Sequence, residues 1–328
     1  MFSRLLVCLA LLLPAAARAE CTGTDLLAAM PADQRATLIA RAEAAPFASG
    51  LLWQATRGDT RLVIFGTYHL RHAATFAHVD AVLPHLDAAE IAWFELDAEA
   101  TDASQRAMAQ DPSLAFITTG PTMPDLLGEP LWTQYAEAMT ARGIPRFMAA
   151  KFKPMMGLMM LGIGPCQARA GALERPGIDK ILADHARDSG IATGSLDDFR
   201  ALMAAFDAFS PTEQMDMLRL YLDLPDMADD LAHTLLQAYL AQDVALIWEF
   251  SREMSLQHGG PTAARDLDRF EQVLLWDRNT AWVAQLLQEA EGKTAFVAVG
   301  AGHLPYDQGV LALLQEAGFA VTPLPFTP

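Results

Sequence analysis

Leu62-Val63-Ile64-Phe65-Gly66-Thr67-Tyr68-His69 is an apolar run that passes straight into Gly-x-x-His. Val297-Ala298-Val299-Gly300-Ala301-Gly302-His303 repeats the arrangement 234 positions later (303 − 69). A short, continuously apolar run bounded by glycine reads as a strand covered on both faces. The first run has a partner just before it: residues 51–56 and 61–66 are joined by Arg57-Gly58-Asp59-Thr60, which predicts a hairpin. Working outward, Phe76, Val79, Leu83 and Leu86 have helical spacing over 75–88, and Ile91-Ala92-Trp93-Phe94 is a further buried strand. Residues 100–165 and 198–290 carry mostly helical signals, with breaks at Pro211, Pro225 and Gly259-Gly260-Pro261. A helix over 177–188, a short strand over 191–196, the strand Thr294–Val299, a helix over 307–316 and a last strand at Ala320–Thr322 complete the pattern. Strands at both ends with helices between predict an α/β fold: a mixed central β-sheet flanked by helices, with a helical insertion between the N- and C-terminal parts of the sheet.

The N-terminus places Arg4 before the apolar run Leu5–Leu13 and ends in Ala17-Arg18-Ala19, the layout of a signal peptide cut after Ala19. The run is shorter than the roughly 20 residues of a membrane span, which weighs against an uncleaved anchor. Glu20 before Cys21 weighs against a lipid-modified cysteine. Residues 20–328 are expected to form one domain in the periplasm or outside the cell, with no transmembrane segment. Cleavage takes Lys+Arg from 23 to 21 against 40 Asp+Glu, a balance of −19, and so acidic a surface repels phosphate backbones. Nucleic acid is excluded as a partner on that ground. Of three cysteines, Cys21 and Cys166 survive cleavage, and an oxidising compartment favours a bridge between them over two buried thiols.

The chemistry gathers at strand ends. His69, Glu95 and His303 each follow a buried strand, and in α/β sheets ligands sit beyond the carboxyl ends of strands. Gly66, Gly300 and Gly302 permit the turns that bring the imidazoles back over that edge, and are expected to line a cofactor site. A helix starting after Pro305 would aim N–H groups into the same crevice, suited to an anion or a developing oxyanion. Two histidines and a glutamate match the sets that hold zinc, manganese or iron with open positions, and the chemistry that follows is metal-assisted attack of water on a carbonyl. Singly, each histidine reads more readily as a hydrogen-bonded structural residue; the repeat of the pattern is what favours a site. Asn279 interrupts the apolar stripe Leu275, Trp282, Leu286, as an internal staple or as a group orienting a ligand. Arg278 beside it is suited to pairing with Glu95 or a substrate carboxylate, or else is a solvated or capping residue. Asp179 reads as a cap or structural hydrogen-bonder, and His72 as an exposed loop residue. Five methionines over 147–163 read as core, with an apolar peptide groove as the alternative. There is no His-Glu-x-x-His, Gly-x-Ser-x-Gly, P-loop or Cys-x-x-Cys motif.

Gly66-Thr67-Tyr68-His69, Glu95, Gly177-Ile178-Asp179, Arg278-Asn279 and Val299-Gly300-Ala301-Gly302-His303-Leu304-Pro305 together resemble the ordered signature of the TraB/GumN family, over about residues 50–325. That family is similar to the TIKI domain of animal proteases that clip Wnt ligands. The resemblance implies a divalent-metal protease or related hydrolase acting on a peptide or protein, manganese or cobalt favoured, with His69, Glu95 and His303 in the active site. Tyr306 and Asp197 depart from the family pattern, where Gly and Glu are common. Two other readings stand beside it: a non-enzymatic metal or haem binder of the envelope, and a degenerate member serving as a processing or assembly factor.

Overall fold

The structure, a computed structural model, describes residues 21–224 and 227–328. The expected signal peptide, residues 1–19, lies outside the described residues. Six strands, β1 (Leu52–Arg57), β2 (Thr60–Thr67), β3 (Ile91–Phe94), β4 (Ala192–Ser195), β5 (Thr294–Gly300) and β6 (Ala320–Pro323), form one mixed sheet in the order β4-β3-β5-β2-β1-β6. The β1–β2 hairpin closes through Gly58, whose φ of 57° is the left-handed conformation the turn needs. β5 is central and runs parallel to β2 on one side and β3 on the other. Phe65 and Phe94 both lie opposite Ala298, and Thr67 lies opposite Gly300. Three carboxyl ends are thereby brought side by side.

Each face of the sheet is covered. Val63, Phe65, Phe94 and Phe296 pack under the helices Phe76–Asp87 and Ile178–Asp188, with Tyr239. Leu62, Ile64, Trp93, Val297 and Val299 pack under the helices Asp277–Glu289 and Val310–Glu316. The apolar runs without alternation are thus explained by burial on both sides, and truncating one of the fully buried phenylalanines to alanine would cost about 3–5 kcal/mol. Polar groups fix the junctions. Asp97, two residues past Glu95, caps the helix Ala98–Gln110 through the Ala100 N–H and accepts from the Thr193 hydroxyl on β4.

Strings of helices lie between β3 and β4 and between β4 and β5. Ser210 and Glu213 form a reciprocal capping box at the start of Pro211–Leu222. Met123, Tyr135, Met139, Leu161 and Met215 make a separate apolar cluster there. The methionine-rich stretch divides: Met155 is buried, while Met148 and Met159 are exposed. Cys21 and Cys166 are bonded, with Cα atoms 5.6 Å apart, fastening the start of the described chain to this helical layer. Among the described residues, no helix is long and apolar enough to cross a membrane.

Candidate active site

The strand register decides what meets at the sheet edge. Glu95 follows β3 directly, and its Oε1 accepts the Gly300 N–H at 2.7 Å. His69 comes two residues after β2, and His303 closes the 3-10 turn Ala301–His303 after β5. Both imidazoles present Nε2 to the same Glu95 Oε1, each at 3.8 Å. Residues 234 positions apart therefore share one carboxylate oxygen.

Each ring is held from behind. Asn279, fully buried on Asp277–Glu289, accepts from His303 Nδ1 at 2.6 Å and donates to the Gln308 carbonyl at 2.8 Å. Since Asn279 Oδ1 can only accept here, the network assigns the His303 proton to Nδ1 and leaves the Nε2 lone pair facing the site. The Trp282 ring packs against it, centroids 4.4 Å apart. His69 Nδ1 lies 3.1 Å from Asp179 Oδ2, and Asp179 in turn accepts from the Thr67 hydroxyl. Asn279 thus joins the Gln308 carbonyl to the His303 ring.

Arg278 is the permanent cation of the site. Its Nη2 bonds Glu95 Oε2 at 2.7 Å and Asp197 Oδ2 at 2.5 Å, its Nη1 lies 3.3 Å from His303 Nε2, and its guanidinium sits over the Trp282 ring. Nη1 also donates to the Leu274 carbonyl, in the π-helical turn Gln272–Trp276 that precedes its helix. Of the readings weighed for Arg278, pairing with Glu95 is the one the geometry supports.

These charges set the protonation states. Burial is the largest influence on Glu95 and would raise its carboxyl, but His69, His303, Arg278 and the Gly300 N–H together outweigh it and hold it at about 2. His303 is lowered to about 3, chiefly by burial, with Arg278 adding to the fall against the pull of Glu95. His69 is raised, first by the Asp179 charge and then, against burial, by the Asp179 hydrogen bond and Glu95. Its side chain is 58% exposed, so water screens that pull.

The glycines divide. A Cβ on Gly300 would lie 2.7 Å from His69 Nε2 and 3.2 Å from Glu95 Oε1, so the missing side chain is part of the site. Gly66 and Gly302 instead admit neighbours: Leu304 packs where a Cβ on Gly66 would be, and Trp248 where one on Gly302 would be. Gly177 lets the chain pass the His69 carbonyl, which a Cβ there would meet at 2.0 Å. The helix expected directly after Pro305 starts at Val310, because Tyr306, at φ 73°, turns the chain first. The backbone N–H bonded to Glu95 at the crevice is therefore that of Gly300. His72 caps the turn Ala73–Thr75 by accepting the Ala74 N–H.

Of the two readings of Asp179, cap and structural hydrogen-bonder, the second describes it: the N-cap of Ile178–Asp188 is Gly177, while Asp179 accepts from the Thr67 hydroxyl and faces His69 Nδ1. Asp197 anchors Arg278 and accepts from Trp282 Nε1 at 2.9 Å. Asp197 lies two residues past β4, so the strand-end rule that picked Glu95 applies to it as well.

As residue types, two imidazoles and one carboxylate are those that hold divalent transition metals, with hydrogen bonds on the far nitrogens, but His69 would have to lose the proton that Asp179 and Glu95 favour before its Nε2 could serve as a ligand. The three donors stand apart around Glu95 Oε1, and among the described residues no group of three or more His, Cys, Asp or Glu is placed so as to hold a metal ion. The family model described as TraB/PrgY/gumN family matches residues 51–323. No curated protein matches the chain.

Proposed function

The chain belongs to the TraB/PrgY/gumN family, and on that premise we propose that it is an exported metal-dependent hydrolase, a peptidase that cleaves a peptide or protein substrate. The observation that carries the reading is the convergence of His69 Nε2 and His303 Nε2 on one oxygen of Glu95, with Asp179 and Asn279 fixing the rings from behind. His69, His303 and Glu95 would hold the metal, with manganese or cobalt favoured and zinc an alternative. When bound, it supplies Lewis acidity to the scissile carbonyl and makes water nucleophilic at neutral pH.

The protein's own groups have defined work. Asn279 keeps the His303 proton on Nδ1 and its lone pair on Nε2. Asp179 does the same for His69 once that ring is neutral. Arg278 keeps Glu95 ionised, so that a carboxylate is present to take a proton from attacking water or to act as ligand. Asp197 and the Trp282 ring hold Arg278 in position.

The test is metal analysis of the mature protein beside His69→Ala and Glu95→Ala after exchange with manganese, cobalt and zinc in turn. Wild type should hold about one equivalent and both variants none, with chelator-sensitive cleavage of a peptide library by wild type alone. No binding by wild type would overturn the reading and favour a non-enzymatic envelope factor.

A further inference from the structure

Arg142, at the end of the helix Leu131–Ala141, is only 5% exposed and has no ion-pair partner among the described residues. Its Nε donates to the Ile163 carbonyl at 2.6 Å, Nη1 to Ala138 at 2.8 Å and Nη2 to Leu161 at 2.8 Å. Those carbonyls satisfy hydrogen bonds without cancelling the charge. A guanidinium has five N–H donors, so one on Nη1 and one on Nη2 meet no acceptor among the described residues. Arg142 lines a cavity of about 450 Å³ whose other walls include Leu161, Leu222, Leu235, Phe250 and Met254. That volume is in the range of about 300–1,000 Å³ typical of small-molecule sites. Glu137 is the carboxylate in this lining, and it is exposed and makes no ion pair with Arg142. Burial lowers the guanidinium to about 10, against the pull of Asp229 and Tyr221.

A second cavity, of about 410 Å³, adjoins the first across Gly162, Leu220 and Tyr221, and is walled by Met155, Met159, Phe206, Met217 and Phe270. Thioether and aromatic walls adapt to a flexible chain. We propose that the helical layer is a binding site for a long-chain monocarboxylate, its head on the free Nη1 and Nη2 hydrogens of Arg142 and its tail running across Gly162 into the methionine-lined cavity. The two remaining N–H groups suit the two oxygens of one carboxylate. The net charge of −17 disfavours multiply charged anions. The inference does not depend on the metal site.

Titration calorimetry of the intact protein with dodecanoate, dodecanol and methyl dodecanoate, below the micelle concentration, tests it. Dodecanoate should bind at about one equivalent and about tenfold or more tighter than either neutral analogue. Leu235→Trp, which fills the first cavity and leaves Arg142 in place, should weaken dodecanoate by about tenfold or more. Arg142→Gln, where circular dichroism shows it folded, should abolish the preference for the charged head. Equal affinity for acid and alcohol, no binding of dodecanoate, binding at many equivalents, or undiminished binding by Leu235→Trp would each overturn the proposal.

Discussion

Replacing Gly300 with alanine adds one methyl group at the point where His69, Glu95 and β5 meet. Its carbon would lie 2.7 Å from His69 Nε2 and 3.1 Å from Cε1, well inside contact distance. Gly300 has φ −52° and ψ 135°, which alanine adopts freely, and the N–H that serves Glu95 is kept. The clash is with the far end of an exposed ring, which can swing aside at a rotamer cost of about 1 kcal/mol. The ring then leaves Glu95. Stability should therefore change by about 1 kcal/mol or less, while on the proposed function metal affinity falls about 10–100-fold and hydrolysis about 100-fold. Gly177→Ala is the control. There the added carbon meets the His69 carbonyl at 2.0 Å, backbone against backbone, and the strain of overpacking should cost about 1–3 kcal/mol of global stability. Urea unfolding and manganese titration of the two variants side by side distinguish the cases. A Gly300→Ala protein that binds manganese like wild type, or that loses as much stability as Gly177→Ala, would refute the placement of His69 over Gly300.

Three further outcomes are expected. Asp179→Asn should lower the His69 pKa, followed by NMR titration of its ring; because the raised folded value contributes stability that is full below about 6.5 and lost as pH rises toward about 10, the variant's deficit in urea midpoint should be widest near pH 6 and shrink above it. His78 is buried against Tyr239 and Phe326 with neither ring nitrogen well bonded, and burial lowers its pKa despite the nearby Ala74 backbone. A depressed value gives stability that is present above about 6.5 and lost as pH falls, so His78→Phe should lose less Tm than wild type between about pH 7.5 and 5. Cys166→Ser opens a loop spanning 145 residues and should cost about 5 kcal/mol by chain entropy, a loss that reduction of the wild-type protein reproduces.

The parts of the fold written in local pattern were legible. Continuous apolar runs specify the strands, Gly58 the hairpin turn, and the rule that ligands gather beyond carboxyl ends places His69, Glu95 and His303 together. What local pattern does not contain is which strands are neighbours. The position of β5 between β2 and β3 depends on the nonlocal burial of Phe296 and Val297 on opposite faces, and no spacing in the chain announces it. The supporting shell was harder for the same reason. Asp179 looks like a helix-start acid until Gly177 is seen against the His69 carbonyl, and Asp197 looks incidental until Arg278 arrives from 81 residues away. Gly66 and Gly302 share the motifs of the histidines, but nothing in those motifs shows that Leu304 and Trp248 pack where their side chains would be.

The place of β5 also sets a timetable. A chain made from its N-terminus finishes the β1–β2 hairpin early, yet Arg61 must wait for Thr294 before that hairpin gains its parallel neighbour. Until then one edge of β2 is an open template for other strands, and so distant a pairing is intrinsically slow to form. His303 arrives on the same late segment. The two histidines thus cannot meet until the last strands of the chain have been made and β5 has taken its place at the centre of the sheet.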